Sequence, residues 1–219
     1  TGAEATPAAL RAALMAAAER ELPEAAPWPA LRRLWSKRLA RAADWIAQGE
    51  AARRAEGRVE ALEVKGARLL EGPPGGAFEL SGKADRVDRL LDGRLALYDY
   101  KTGSVPSAKQ IGVFSVQLLL EAAVAEAGGF ENVPGAPVAA AEYLGLSGAG
   151  AGGKASAVDF VKHPVADVWA DLGALVARYD DAATGYLSRA RMATVRFAGD
   201  YDQLARHGEW SESGEEGGE

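Results

Sequence analysis

Apolar residues recur at helical spacing in the first quarter of the chain. The leucines between residues 7 and 22 fit one helix, with Thr6 suited to cap it and Pro7 to occupy its first turn. A second helix is predicted from about Pro29 to Arg54, where apolar residues follow at three- and four-residue steps: Leu31, Trp35, Leu39, Ala42 and Ile46. Such a stripe usually faces a core, so we predict that the tryptophans pack there rather than stack on nucleic-acid bases.

Apolar and polar positions then alternate, which is the pattern of β-strands. Strands are predicted at residues 58–70, 78–90 and 94–100. The Asp92-Gly93 pair favours a tight hairpin between the second and the third. These three segments are therefore predicted to form an antiparallel meander.

The second half of the chain returns to a mixture of helices and strands. A helix from Ser107 to Ala127 is predicted to stop at Gly128-Gly129. Beyond it we predict a strand at residues 139–146, a hairpin partner at 154–161 and a long helix at 164–191. Periodicity alone thus predicts a protein of mixed α and β structure.

The composition is that of a globular protein with one core. Of its 219 residues, 48% are hydrophobic, which is enough for a single sizeable core. We predict one domain over residues 1–208, with a helical part (1–57), a central part (58–147) and a closing hairpin and helix (148–208). Residues 209–219 contain five glutamates and no basic residue, so we expect a disordered acidic tail.

No segment approaches the roughly 20 apolar residues that cross a bilayer. Arg11 and Glu19 interrupt the alanine-rich start, unlike a signal peptide, and we expect a cytoplasmic protein without membrane partners. The absence of cysteine excludes disulfides and sites held by thiolates. Because the chain begins at Thr1, we expect an excised piece of a longer protein.

The net charge of -6 argues against an independent nucleic-acid-binding protein, since phosphate contacts depend on lysine and arginine. The charge is unevenly distributed, however. Residues 28–68 contain ten lysines or arginines and five acidic residues. We expect this basic segment to give weak, salt-sensitive binding, with further affinity supplied by neighbouring domains.

Candidate chemistry is concentrated on the second and third predicted strands. Asp85 and Asp99 lie 14 residues apart, so both carboxylates can reach one end of the sheet and bind a hard divalent cation. Lys101 falls on the same face as Asp99, because side chains alternate along a strand. The alternative is surface ion pairs, Asp85 with Arg86 or Arg89 and Asp99 with Lys101, worth up to about 1 kcal/mol each.

Three motifs occur in order here. They are Gly-x-x-Asp-Arg-x-Asp from Gly82 to Asp88, Asp-Tyr-Lys-Thr-Gly from Asp99 to Gly103, and a helix that carries Gln117-Leu118. Over roughly residues 58–127 the chain resembles the PD-(D/E)XK nuclease superfamily, in particular the RecB-like branch found in AddB-type repair subunits. The resemblance implies an αβββαβ core, in which helices flank a mixed sheet, here with extra N-terminal and C-terminal helices.

The resemblance also implies roles for individual residues. Asp85, Asp99 and the backbone carbonyl of Tyr100 are expected to bind Mg²⁺ or Mn²⁺, while Lys101 orients the attacking water and stabilises developing charge. Gln117 is expected to position the site or the nucleic-acid backbone, and Gln110 to lie near the same helical face. Some AddB-type domains carry a four-cysteine iron-sulfur cluster, which this sequence cannot form.

Two departures from the family pattern stand out. The upstream Gly-x-x-x-His motif has no match, because the two histidines, His163 and His207, lie far downstream. Glu121 stands where the family usually has tyrosine. Four other carboxylates are candidates for a missing ligand: Glu19, Glu21, Glu60 and Glu63.

The segment from Gly148 to Lys154 satisfies the Gly-x-x-x-x-Gly-Lys pattern of a phosphate-binding loop. However, Ala155 stands where a Ser or Thr would bind magnesium, and the following residues indicate a strand rather than a helix. We therefore interpret this segment as a flexible hairpin turn.

Two functional hypotheses remain. The first is a metal-dependent DNA nuclease domain at the C-terminus of an AddB-like subunit, acting with an AddA-like helicase partner in double-strand break repair and recombination. The second is a catalytically inactive module of the same fold that binds DNA or docks a subunit.

Overall fold

The chain begins with a pair of helices and continues into a mixed sheet covered by further helices. The computed structural model describes residues 6–146 and 152–185. In chain order the elements are α1 (Pro7–Ala25), α2 (Pro29–Glu56), β1 (Gly57–Leu70), β2 (Phe78–Leu90), β3 (Leu95–Lys101), α3 (Ala108–Ile111), α4 (Gln117–Glu126), β4 (Val138–Gly145), β5 (Lys154–Ala157) and α5 (Val165–Asp180).

Local sequence signals set the ends of the first two helices, which pack on each other. The Thr6 hydroxyl accepts a hydrogen bond from the Ala9 N–H at 3.3 Å, and Pro7 lies in the first turn, where no backbone donor is needed. The second helix begins at Pro29 and ends at Gly57, whose N–H donates to the carbonyl of Arg53. Both predicted helices are therefore confirmed, with slightly later ends.

The strands follow chain order in the sheet, β1-β2-β3-β4-β5. The first three are antiparallel, β4 runs parallel to β3, and β5 pairs antiparallel with β4. Gly93 has φ +86°, and the Asp92 carboxylate accepts the Arg94 N–H at 3.0 Å, as suits a tight Asp-Gly turn. The predicted meander, the αβββαβ core and the later hairpin are thus confirmed.

The two faces of the sheet pack against different helices. Leu95 and Leu97 of β3 belong to the larger core, together with Leu118 and Leu119 of α4. The intervening residues of β3 face the opposite side, where Trp45 of α2 packs. The prediction that tryptophans pack in the core holds for Trp45. It is wrong for Trp28, which is 72% exposed because it lies in the turn between α1 and α2.

The helix predicted from Ser107 to Ala127 is two helices in the structure. A capping box between Ser107 and Gln110 begins the short α3, and Gly112 ends it. The Gln110 carbonyl then accepts hydrogen bonds from the backbone N–H groups of residues 113, 114 and 115. This tight turn interrupts the hydrogen-bond pattern of a continuous helix, and α4 begins as a separate helix at Gln117.

The later elements are shorter than predicted. The strand β5 ends at Ala157 rather than residue 161, because Asp159 turns the chain by accepting the N–H groups of Val161 and Lys162. Lys154 and Ala155 lie in this strand, as the hairpin interpretation predicts and a phosphate-binding loop does not. The helix α5 ends at Asp180 rather than extending toward Arg191.

Some predictions lie outside the described residues. These are the central part of the glycine-rich turn (residues 147–151), residues 186–191 of the last predicted helix, His207, and the acidic tail at 209–219. In the part of the chain that is described, no helix has the length and apolar character needed to span a membrane.

Candidate active site

The site lies at the end of β3, on the face covered by α4. Asp99 and Lys101 continue the alternation of Leu95 and Leu97, so their side chains leave the sheet on the same side as the larger core. Asp99 is only 2% exposed. Lys101, one step nearer to the strand end, is partly open to solvent.

The antiparallel pairing of β2 and β3 brings Asp85 to the same place. The ladder ends with Arg86 opposite Tyr98, so the next two positions are Asp85 and Asp99. The Asp85 carboxylate accepts a hydrogen bond from the backbone N–H of Tyr100 at 2.9 Å. The predicted meeting of the two aspartates at one end of the sheet is therefore found in the structure.

Lys101 and Gln117 surround the buried carboxylate of Asp99. The Lys101 ammonium lies 2.9 Å from Asp99 Oδ1 and 2.8 Å from Oδ2, and it also donates to Gln117 Oε1 at 3.2 Å. Gln117 Nε2 in turn donates to Asp99 Oδ1 at 2.9 Å. Asp99 Oδ2 is buried and receives no hydrogen bond, and the Lys101 ammonium 2.8 Å away is its ion-pair partner.

Glu121 is a functional candidate that sequence reasoning set aside as a mismatch. One turn after Gln117 on α4, it accepts a hydrogen bond from Gln117 Nε2 at 2.9 Å and is 8% exposed. Burial raises the pKa of Glu121 to about 7; the hydrogen bond from Gln117 opposes this, while the charges of Asp99 and Asp85 add to it. The four-residue spacing from Gln117 was the signal that could have identified it.

The Gly-x-x-Asp-Arg-x-Asp motif divides between the two faces of the sheet. Arg86 and Asp88 point away from Asp85, toward α2, where the guanidinium donates two hydrogen bonds of 2.6 Å to the Asp88 carboxylate. Arg86 also donates to Glu50 of α2 at 2.5 Å and to the Tyr100 hydroxyl at 3.3 Å. The predicted alternative pairing of Asp85 with Arg86 is therefore wrong.

This second network is buried and strongly polar. Burial alone would lower the pKa of Arg86, but its hydrogen bonds to Asp88 and Glu50 hold that pKa above its ordinary value. Burial would raise the pKa of the Glu50 carboxyl, but the hydrogen bonds that it accepts from Arg86 and Arg54 outweigh burial and lower that pKa. Arg86 and Asp88 are 4% and 1% exposed, so both are structural ions rather than ligands open to a substrate.

None of the remaining candidate residues makes a described hydrogen bond or ion pair with Asp85 or Asp99, although Gln110 lines a cavity together with Lys101 and Gln117. Glu60 pairs with Arg58 and Arg89 on the first two strands, Glu63 pairs with Lys83, and Glu19 and Glu21 are exposed on α1. The Gln110 side chain is used at the start of α3, where its oxygen accepts from the Ser107 N–H and hydroxyl. The His163 ring lies against Gly112 in the connection that leads to α4.

The donors at this site fit a hard divalent cation with few protein ligands. Within residues 6–146 and 152–185, no group of three or more carboxylate or histidine side chains is arranged to hold a metal ion. Asp85 and Asp99 supply two carboxylates, and Asp99 Oδ2 is buried with the Lys101 ammonium as its partner rather than a hydrogen-bond donor of good geometry. Magnesium commonly binds through one or two carboxylates and completes its shell with waters and substrate phosphates, so two carboxylates are compatible with a magnesium site.

Comparison with known proteins gives one positive result. No curated protein matches the chain. The sequence profile of the PD-(D/E)XK nuclease superfamily matches residues 1–210, which is nearly the whole chain. With the mixed five-stranded sheet and its flanking helices, this match means that the chain belongs to the PD-(D/E)XK nuclease superfamily.

Proposed function

We propose that this protein is a divalent-metal-dependent DNA nuclease that hydrolyses phosphodiester bonds at the end of β3. The observation that carries the proposal is the hydrogen-bonded group of Asp99, Lys101 and Gln117, with Asp85 beside it on the same face. Carboxylates and a lysine thus meet at this end of the sheet, in a protein that belongs to a nuclease superfamily.

We assign a role to each residue by analogy with the family and from the contacts described above. Asp85, Asp99 and the carbonyl of Tyr100 would hold Mg²⁺ or Mn²⁺; such an ion, when bound, makes a nucleophilic water available and offsets charge on the phosphate. Lys101 orients the attacking water, and its ammonium stabilises charge that develops on the phosphate oxygens. Gln117 fixes the orientation of Asp99 through its hydrogen bond to Oδ1.

The finer assignment rests on sequence. The motifs at Gly82–Asp88 and Asp99–Gly103 and the helix that starts at Gln117 support a RecB-like nuclease domain over residues 1–208, of the kind found in AddB-type subunits. We propose that it acts in the cytoplasm with an AddA-like helicase on double-strand breaks. The excess of basic residues between positions 28 and 68 supports contact with the DNA backbone.

A non-catalytic module of the same fold is the second candidate. It is favoured by the lack of a Gly-x-x-x-His motif and by the absence, among the described residues, of a third carboxylate or histidine arranged as a metal ligand. The two candidates differ in metal binding. A nuclease binds Mn²⁺ through Asp99, whereas a docking module has no need of the ion.

The test combines metal binding with cleavage. Isothermal titration with Mn²⁺ should give binding that Asp99→Asn abolishes and Lys101→Ala retains. Cleavage of labelled single- and double-stranded DNA should fall by about 100-fold or more in both variants. Lys162→Ala is the matched control, because that lysine forms an exposed ion pair with Asp159 outside the site. Equal cleavage by wild type and Lys101→Ala would remove Lys101 from the mechanism, and unchanged Mn²⁺ binding by Asp99→Asn would remove Asp99 from the ligand set. A wild-type protein that neither binds Mn²⁺ nor cleaves DNA would favour the docking module.

A further inference from the structure

A cavity of about 570 Å³ adjoins the proposed catalytic group. It lies between the loop that follows β3 and the start of α4, and Lys101 and Gln117 form part of its wall. Its volume is within the range of about 300–1,000 Å³ that is usual for small-molecule sites. Because Lys101 lines this cavity, a nucleoside next to a phosphate bound at Lys101 would be within reach of it.

The walls suit a planar, partly apolar group better than a bare anion. Away from Lys101 and Gln117 the wall combines polar side chains with apolar ones, and the apolar ones are Val105, Pro106, Phe114, Val116 and Leu120. Phe114 is 54% exposed, so its ring is accessible to a ligand in the cavity. Ser104 and Ser115 add hydroxyl groups that can donate or accept hydrogen bonds. An aromatic face with a few polar groups is what a nucleobase requires.

The break between α3 and α4 creates this cavity. Because the Gln110 carbonyl accepts three successive backbone N–H groups, the chain turns sharply and places Phe114 at the rim. The end of the turn is fixed as well, since the Tyr143 hydroxyl donates to the carbonyl of Ser115 at 2.8 Å. A continuous helix through residues 112–116 would have no such turn. The rim is therefore held by backbone hydrogen bonds, which favours a preformed site.

We propose that this cavity binds the nucleobase and sugar next to the scissile phosphate, with the base stacked on Phe114. The inference rests on the proposed nuclease function and adds to it a site for the substrate. A base that is paired and stacked in a duplex cannot enter a side pocket. Cleavage at this site therefore requires a nucleotide that is unpaired or has been flipped out of its helix.

A fluorescent base tests the pocket without any cleavage. Single-stranded oligonucleotides with one 2-aminopurine, placed at successive positions, are titrated with the protein in EDTA, and both anisotropy and base fluorescence are recorded. For one position we expect a change in 2-aminopurine fluorescence that Phe114→Ala abolishes, with affinity reduced by about tenfold. Phe114→Tyr should retain both. Phe78→Ala, which removes a partly exposed phenylalanine at the start of β2, should behave as wild type.

An abasic nucleotide at the responding position provides the decisive comparison. It should weaken binding by wild type about as much as Phe114→Ala does, and it should cause no further loss in Phe114→Ala. The pocket proposal would be overturned if wild type and Phe114→Ala bound the intact oligonucleotide with equal affinity. It would also be overturned if the abasic nucleotide reduced the affinity of both proteins by the same factor. If the protein still shows Mn²⁺-dependent cleavage in that case, the nuclease proposal is retained and only the pocket is rejected. A Phe114-dependent signal from a protein that does not cleave would support the pocket and reject the nuclease.

Discussion

Glu121 gives the structure a specific dependence on pH. Its side chain is buried at the site, and its pKa is raised to about 7 from an ordinary value of 4.5. The folded protein therefore binds a proton at Glu121 more tightly than the unfolded chain does. The stabilising contribution of this proton is complete below about pH 4.5 and is lost as the pH rises through 7. At about 1.4 kcal/mol for each pKa unit, the total loss is about 3 kcal/mol.

Glu121→Gln is the perturbation that isolates this effect. Glutamine is close to glutamic acid in size and can still accept the hydrogen bond from Gln117, but it cannot ionise. We expect wild type and Glu121→Gln to have similar free energies of unfolding near pH 5. At pH 8 the variant should be more stable by about 2 to 3 kcal/mol, since most of the loss falls between these two values.

The assay is urea unfolding in EDTA at half-unit steps from pH 5 to pH 8, with the difference between variant and wild type plotted against pH. Other titrating groups are common to both proteins and cancel in the difference. Glu19→Gln, at an exposed position on α1, controls for the removal of one carboxylate and should follow wild type. A constant difference between Glu121→Gln and wild type across this range would refute the reasoning. If the site binds metal, added Mg²⁺ should flatten the wild-type curve, because a nearby cation favours the ionised carboxylate.

Two further predictions concern the framework of the site. Arg86→Met should lower the free energy of unfolding, measured by urea denaturation, by about 3 to 5 kcal/mol, because it leaves Asp88 and Glu50 without their buried partner. A loss below about 1 kcal/mol would contradict this account. Gly93→Ala should cost about 1 to 2 kcal/mol in the same measurement, because φ +86° is unfavourable for residues with a Cβ, and an unchanged midpoint would count against the strained turn.

The alternation of side chains predicted much of the fold and part of the site. It identified β1, β2 and β3, placed Asp99 and Lys101 on one face, and with the Asp-Gly turn brought Asp85 beside them. It failed between α3 and α4. There the apolar pattern runs on without interruption, and the turn depends on hydrogen bonds to the Gln110 carbonyl that periodicity does not reveal.

The spacing of residues also indicates two features that comparison with the family motifs does not. Comparison with a family pattern made Glu121 a mismatch, although its spacing from Gln117 places both side chains on one face of α4. The motif from Gly82 to Asp88 was treated as one functional unit. Period-two geometry requires Asp85 and Arg86 to leave the strand on opposite faces, so only one of them can lie at the site.

Tyr100 makes contacts on both faces of the sheet and so links Asp85 on one face with Arg86 on the other. Its backbone N–H donates to Asp85 on the α4 side, while its hydroxyl accepts from Arg86 on the α2 side. Tyr100, the residue whose carbonyl we assign to the metal, is therefore anchored through the network of Glu50, Arg86 and Asp88 as well as through the sheet. Catalytic geometry depends on ligands held by such supporting contacts. We therefore expect Arg86, which faces α2 rather than α4, to position the strand end at which we propose that Asp85 and Asp99 bind the metal.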